Sequence, residues 1–193
     1  DIDTLEEETA DVDGVTDTYN GMSISPPAGI IDRLTVDTGN VIGDAATTGS
    51  ITWNFASLAA DFDFLAATDV LELTYTVSVD DGSGTATSDD TQDIVITING
   101  ANDLPTITSA TDTGEVTEDV SVDGMGDLTA TGTIDFDDVD DTDVHLATAS
   151  PDMGNMFVGT LSPVVTSDTT NGGTGLVTWT YTVSNANAAL QAL

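Results

Sequence analysis

Leu71-Glu72-Leu73-Thr74-Tyr75-Thr76-Val77-Ser78-Val79 alternates a large apolar residue with a polar one along its whole length. A β-strand sends successive side chains to opposite faces, so this stretch predicts a strand with one buried face and one wet face. Ile94, Ile96 and Ile98 repeat the rule downstream. So do Leu128, Ala130, Ile134 and Phe136, then Val177, Trp179, Tyr181 and Val183, and upstream Ile51-Thr52-Trp53-Asn54-Phe55. Thr, Val and Ile supply the β-branched side chains that fit a pleated, half-buried surface. Asp81-Gly82, Asn99-Gly100, Asp123-Gly124 and Asn171-Gly172-Gly173 are turn signals between these runs. Only residues 57–67 and 185–193 read as briefly helical. Short strands separated by regular turns predict an all-β fold of sandwich type.

The chain repeats itself. Thr48-Gly49-Ser50-Ile51-Thr52-Trp53-Asn54-Phe55 returns 126 residues later as Thr174-Gly175-Leu176-Val177-Thr178-Trp179-Thr180-Tyr181. Thr16-Asp17 matches Thr142-Asp143 at the same offset, and Asp11-Val12-Asp13 matches Asp138-Val139-Asp140 at 127, so one residue is inserted or lost between. A nearly constant offset across separated blocks indicates tandem domains of one type. The expected division is a first β-sandwich repeat at 1–102, lacking its N-terminal strand, and a second at 103–193, lacking its C-terminal strands. A chain cut out of phase in this way is expected to come from a longer array. The missing strands would come from the continuing polypeptide or from a like subunit.

The charge restricts partners. Thirty-five Asp and Glu face a single Arg and no Lys, for a net charge of −34. Nucleic acid and anionic membrane, both of which are bound through Lys and Arg, are excluded as ligands. No apolar run approaches the ~20 residues of a membrane helix, and no secretory leader pattern opens the chain. Carboxylates this dense repel across a Debye length of ~10 Å, so compaction calls for cations from solution, divalent metal first and high salt second. No disulfide is possible without Cys, and the lack of Lys excludes Lys–Asn isopeptide bonds. Oxygen-ligand metal sites remain as the stiffening device.

Residues 94–105 read IVITINGANDLP, and residues 116–145 read VTEDVSVDGMGDLTATGTIDFDDVDDTDVH. Together with NGGTGLVTWTYTVSNANAALQAL at 171–193 and DFLAATDVLELTYTVSVDDGSGTAT at 63–87, these resemble the VCBS and cadherin-like tandem repeats of RTX-type bacterial adhesins and biofilm proteins. The resemblance covers most of residues 48–193 and leaves 18–47 unmatched. It implies an Ig-like sandwich, an extended string of domains, type I export to the bacterial cell surface, calcium at the domain junctions and no catalysis.

The candidate ligands follow from that likeness. Asn102-Asp103-Leu104-Pro105 is similar to a cadherin interdomain linker, where Asn, Asp and Pro form a calcium junction. Pro105 stiffens the hinge and biases Leu104 to an extended conformation. Asp138 and Asp140 stand about where that pattern places an Asp-x-Asp pair, and Glu118 and Asp143 are further candidates. Asp11 and Asp13 would serve the equivalent upstream junction. Calcium takes six to eight hard oxygens, which carboxylates, amides and main-chain carbonyls supply. No EF-hand loop and no Gly-Gly-x-Gly-x-Asp β-roll is present.

Catalysis is not expected. His145 is the only histidine and there is no Cys, so few nucleophile–base pairs can be assembled. His145 reads as a surface residue at a strand edge, and Arg33 as the ion-pair partner of Asp32 or Asp37. Trp53 and Trp179 read as core residues. The expected role is a structural extender in a secreted adhesin. The alternatives are a filament or sheath subunit completed by neighbouring chains and, from another class, a carbohydrate-binding module. Partners are then neighbouring repeats or like subunits, with any cell-surface or glycan ligand held elsewhere in the protein.

Overall fold

A computed structural model describes residues 8–24, 28–37, 39, 41–42, 46–85, 89–151 and 158–192. The protein is all-β, its strands arranged in antiparallel sheets of sandwich type. It divides into two compact units, Asp1–Ala101 and Asn102–Leu193.

Unit 1 contains β1 (Thr9–Tyr19), β2 (Met22–Ile24), β3 (Leu34–Val36), β4 (Trp53–Phe55), β5 (Val70–Asp80) and β6 (Asp89–Asn99). One sheet has the order β2-β1-β5-β6, and β3 and β4 form a separate two-stranded hairpin. The alternation in β5 decides what is buried. Leu71, Leu73, Tyr75 and Val77 all point inward, while Glu72 is exposed. That inward row meets Leu34, Val36 and Phe55 of the hairpin, with Ile30, Leu65, Phe62 and Phe64 filling the gaps. Tyr75 packs edge-on against Phe55, ring centroids 6.2 Å apart, and its hydroxyl donates to the Ile30 carbonyl at 2.7 Å.

Two further features tie unit 1 together. Asp69, buried before β5, accepts hydrogen bonds from the Tyr19 hydroxyl (2.6 Å), the Asn20 amide (2.8 Å) and the Ala66 N–H (3.1 Å). Arg33 pairs with Asp61 at 2.7 Å rather than with Asp32 or Asp37, because the 3-10 turn Ala59–Asp61 presents that carboxylate to it. Trp53 departs from its expected core role. It lies opposite Val36 at one end of the short hairpin and is 47% exposed.

Strand β1 carries a bulge between Val12 and Gly14. The repeat spacing slips by one residue within this same region. A bulge reverses the parity of the residues after it. Ala10 is buried before the bulge, and Asp17 is buried after it. Simple alternation from Ala10 would turn Asp17 to solvent.

Unit 2 contains β7 (Thr106–Ala110), β8 (Asp127–Asp137), β9 (Thr160–Ser167) and β10 (Gly175–Ser184), in the sheet order β7-β8-β10-β9. Shifted by the repeat offset, β3 falls on the start of β9 and β4 on the middle of β10. The pairing carries over to within one residue, Leu34 with Phe55 in unit 1 and Leu161 with Tyr181 in unit 2. In repeat order, the two four-stranded sheets follow the A-B-E-D and C′-C-F-G arrangements of an immunoglobulin-type sandwich.

One face of the unit 2 sheet is a threonine surface that includes Thr129, Thr131, Thr133, Thr178, Thr180 and Thr182. The other is apolar. It is capped at one end by Leu128, Val183 and Leu190, with Val116 and Val158 against them. At the other end Phe136 and Val177 are buried. Between the caps Trp179 lines an open groove instead of a closed core, and its indole N–H donates to the Thr111 carbonyl at 3.0 Å. No helix among the described residues is long and apolar enough to cross a membrane.

Candidate metal centre

Strand register brings the first residues of unit 2 to the loop after β8. Thr106 pairs with Asp137, so the chain before β7 and the chain after β8 emerge at the same end of the sheet. Asp103 and Asp140 meet there, the Asp103 N–H donating to Asp140 Oδ2 at 2.8 Å. Asp138 Oδ1 accepts the Asp140 N–H at 3.0 Å, an Asx-type turn that folds the loop back on itself.

Asp140 is fully buried, and its second oxygen, Oδ1, has no hydrogen-bond partner. Its carboxyl titrates above the ordinary range. Burial is the main cause; the Asp103 N–H opposes it, and repulsion from Asp138, Asp143 and Asp103 adds to it. A buried, half-satisfied carboxylate among three others is costly unless a proton or a cation joins it.

Next to this pocket lies a histidine clamp. His145 Nδ1 is 2.6 Å from Asp168 Oδ1, and Nε2 is 3.0 Å from Asp138 Oδ2. The His145 N–H also donates to Asp168 Oδ2 at 3.0 Å. The ring packs on Phe136, centroids 4.9 Å apart. Burial alone would lower the histidine pKa, but the hydrogen bonds and charges of Asp168 and Asp138 outweigh it and raise it. Asp168 is correspondingly held below the ordinary carboxylate range: burial works against this, and hydrogen bonds from the His145 N–H, the His145 ring and the Thr169 N–H overcome it. The expectation of a surface histidine is therefore corrected. The side chain is 14% exposed and holds two carboxylates that the sequence separates by 30 residues.

The proposed ligands divide into three groups. Asp103, Asp138, Asp140 and Asp143 lie around one pocket. Asn102 adjoins it, exposed, its amide donating to the Asp103 carbonyl. Glu118 is not brought to it. Its neighbour Asp119 bonds Asn185, just past the end of β10 that pairs with Asp127 at the start of β8. That is the far end of an 11-residue strand, about 30 Å away at ~3.3 Å per residue. Asp11 and Asp13 are exposed on β1, bonded to the Val12 N–H (2.7 Å) and the Ser78 hydroxyl (2.9 Å).

The donor set of the pocket, all hard oxygens around a carboxylate with a free lone pair, suits calcium. Among the described residues, no three His, Asp or Glu side chains already converge as a finished cage. The reason is local: Asp138 spends both oxygens on the Asp140 N–H and His145. Compared with family models, curated proteins and solved structures, the chain has no match.

Proposed function

We propose that this chain is a non-catalytic, calcium-binding segment of a secreted bacterial surface adhesin or biofilm protein, built from tandem β-sandwich repeats that act as structural extenders. The observation that carries this reading is the unpartnered Oδ1 of fully buried Asp140, set among Asp103, Asp138 and Asp143. In a chain of net charge −34 the pocket has little protein cation to draw on, so solution calcium is the natural counter-charge. Asp140 would hold the ion through its free oxygen, with Asp143, Asp103 and Asn102 adding oxygens and Asp138 reaching it only through the remaining lone pairs of oxygens that already accept from the Asp140 N–H and His145. The bound ion would pin residues 102–103 to the loop after β8 and stiffen the start of the repeat.

Extracellular calcium modules bind at ~0.1–1 mM. A site at 100-fold ligand excess adds about 2.7 kcal/mol, a large part of the stability of a small domain. The test compares thermal unfolding in calcium and in chelator at fixed ionic strength, for the wild type and Asp140→Asn. Calcium is expected to raise the melting temperature of unit 2 in the wild type alone. In chelator, the amide variant is expected to be the more stable protein, because it removes a buried charge. Identical melting of the wild type in both conditions would overturn the reading.

A further inference from the structure

The apolar face of the unit 2 sheet holds an open groove of about 750 Å³. Its floor includes Ala130, Ile134, Leu161, Pro163, Trp179 and Tyr181. The floor is broad because glycine underlies the rings. A side chain at Gly132 would overlap the Trp179 indole, and one at Gly159 would overlap the Tyr181 ring. Rings laid down over glycine make a flat apolar platform, the form that a second sheet layer packs on at a spacing of ~10 Å.

Unit 1 shows what covers part of the equivalent surface, for Phe55 packs under β5 while Trp53, the counterpart of Trp179, stays 47% exposed. Tyr181 corresponds to Phe55 at the repeat offset, and Phe55 is covered by Tyr75 in the inward row of β5. β5 is itself held by β1, from Thr9 opposite Asp80 to Tyr19 opposite Leu71. The counterpart of β1 in unit 2 is the stretch beginning at Asp138. Past the end of β8 this counterpart, which ends at His145, is not a strand, and its apolar residues Val139 and Val144 are 52% and 82% exposed. Thus the aromatic floor stands open in unit 2, and the counterpart of the pairing strand is exposed at Val139 and Val144 but held at Asp140 and His145 through Asp103 and Asp168.

We propose that this open face is the docking surface for a β-hairpin of the β5–β6 kind, donated by a further repeat of the same type. The hairpin's first strand pairs with the stretch after Asp138 and lays a Leu-x-Leu-x-Tyr-x-Val row over Ile134 and Tyr181, along the edge of the Trp179 indole. Main-chain pairing supplies affinity, and the alternate apolar side chains supply register. The inference rests on the repeat relationship, and its pairing stretch includes Asp140 and Asp143 of the proposed calcium loop, so the test below is run both with and without calcium.

The experiment uses the full chain with Trp53→Phe, which leaves Trp179 as the sole indole. The probe is a synthetic peptide of residues 68–101, added in excess calcium and again in chelator. A saturable blue shift of Trp179 emission with loss of quencher access is expected, and none with the peptide carrying L71S, L73S, Y75S and V77S. A second protein, with residues 68–101 appended directly after Leu193, reproduces the unit 1 spacing. It is expected to show the shifted emission without added peptide and a higher melting temperature for unit 2. Four results would overturn the proposal. The first is an unmoved Trp179 in both formats. The second is an equal response to the serine-substituted peptide. The third is a shift of Trp53 instead, read in the Trp179→Phe chain, which would mean exchange into unit 1. The fourth is self-association of the unmodified chain that buries Trp179 and is abolished by Leu161→Glu, which would make a second copy the occupant.

Discussion

His145 holds Asp168 at 2.6 Å through Nδ1 and Asp138 at 3.0 Å through Nε2, so one imidazole spans two carboxylates at the edge of the acidic pocket. Replacing it with Phe keeps the contact with Phe136 but strips both acids of a partner. The Asp138 side chain is 1% exposed and has no water to fall back on. Breaking such a buried pair costs about 3 kcal/mol. Denaturant unfolding of His145→Phe, followed at Trp179 with Trp53 replaced, is expected to show that loss in chelator and a smaller one in calcium, which can take up the freed Asp138 oxygen.

The two outlying acids of unit 2 separate by position. Asp143 is close enough to raise the Asp140 pKa, whereas Glu118 lies beside the segment bonded to Asn185. Asp143→Asn is expected to weaken calcium binding about tenfold, equivalent to 1.4 kcal/mol. Glu118→Gln is expected to leave it unchanged. Calorimetric titration of both variants checks the pair, and equal losses would mean that the ion sits elsewhere.

Asp17 gives unit 1 a pH dependence of unusual sign. It is 3% exposed, neither oxygen is bonded by another residue, and burial, opposed by its own main-chain N–H, raises its pKa above the ordinary 3.8. A raised carboxyl favours the folded state while it is protonated. Its stabilising effect is complete below 3.8 and disappears as the pH rises through the folded-state value. Asp17→Asn is expected to remove this dependence and to stabilise unit 1 at neutral pH. Denaturant midpoints between pH 4 and 8, read at Trp53 in the Trp179→Phe chain, test it; parallel curves for variant and parent would reject it.

Asp69 anchors the end of β1 to the loop before β5 through hydrogen bonds from Tyr19 and Asn20, and closes the loop itself through the Ala66 N–H. Asp69→Ala leaves the Tyr19 hydroxyl and the Ala66 N–H without that acceptor. Hydrogen bonds to a charged acceptor contribute about 1.5–3 kcal/mol each and are not additive, so a total loss near 3 kcal/mol is expected in unit 1. Asp69→Asn retains an acceptor oxygen and should lose less. The same Trp53 readout distinguishes the two variants.

Local alternation made β5 legible from the sequence, because Leu71 to Val77 sit on a regular strand with one buried face. The Trp53 and Trp179 blocks likewise correspond to matching hairpins. Elsewhere periodicity lost its meaning. The β1 bulge reverses parity and buries Asp17, which no two-residue rule anticipates. Trp179 follows the apolar pattern, but no second layer among the described residues of unit 2 closes over it, so pattern alone overstated its burial. The Asp103–Asp140 contact follows from the β7–β8 pairing, which brings the two loops to one end of the sheet. The His145 clamp was hidden because Asp168 reaches it only through the fold, and a lone histidine in an acidic sequence carries no spacing signal.

The single Arg33–Asp61 pair has a consequence for proteolysis. A trypsin-like enzyme finds one susceptible bond in the whole chain, Arg33–Leu34. Leu34 is 2% exposed and already engaged in β3, so the folded protein withholds even that bond. Digestion then proceeds only while unit 1 is open, and where reclosing is faster than cleavage the cutting rate reports how often the β3–β4 hairpin leaves its seat.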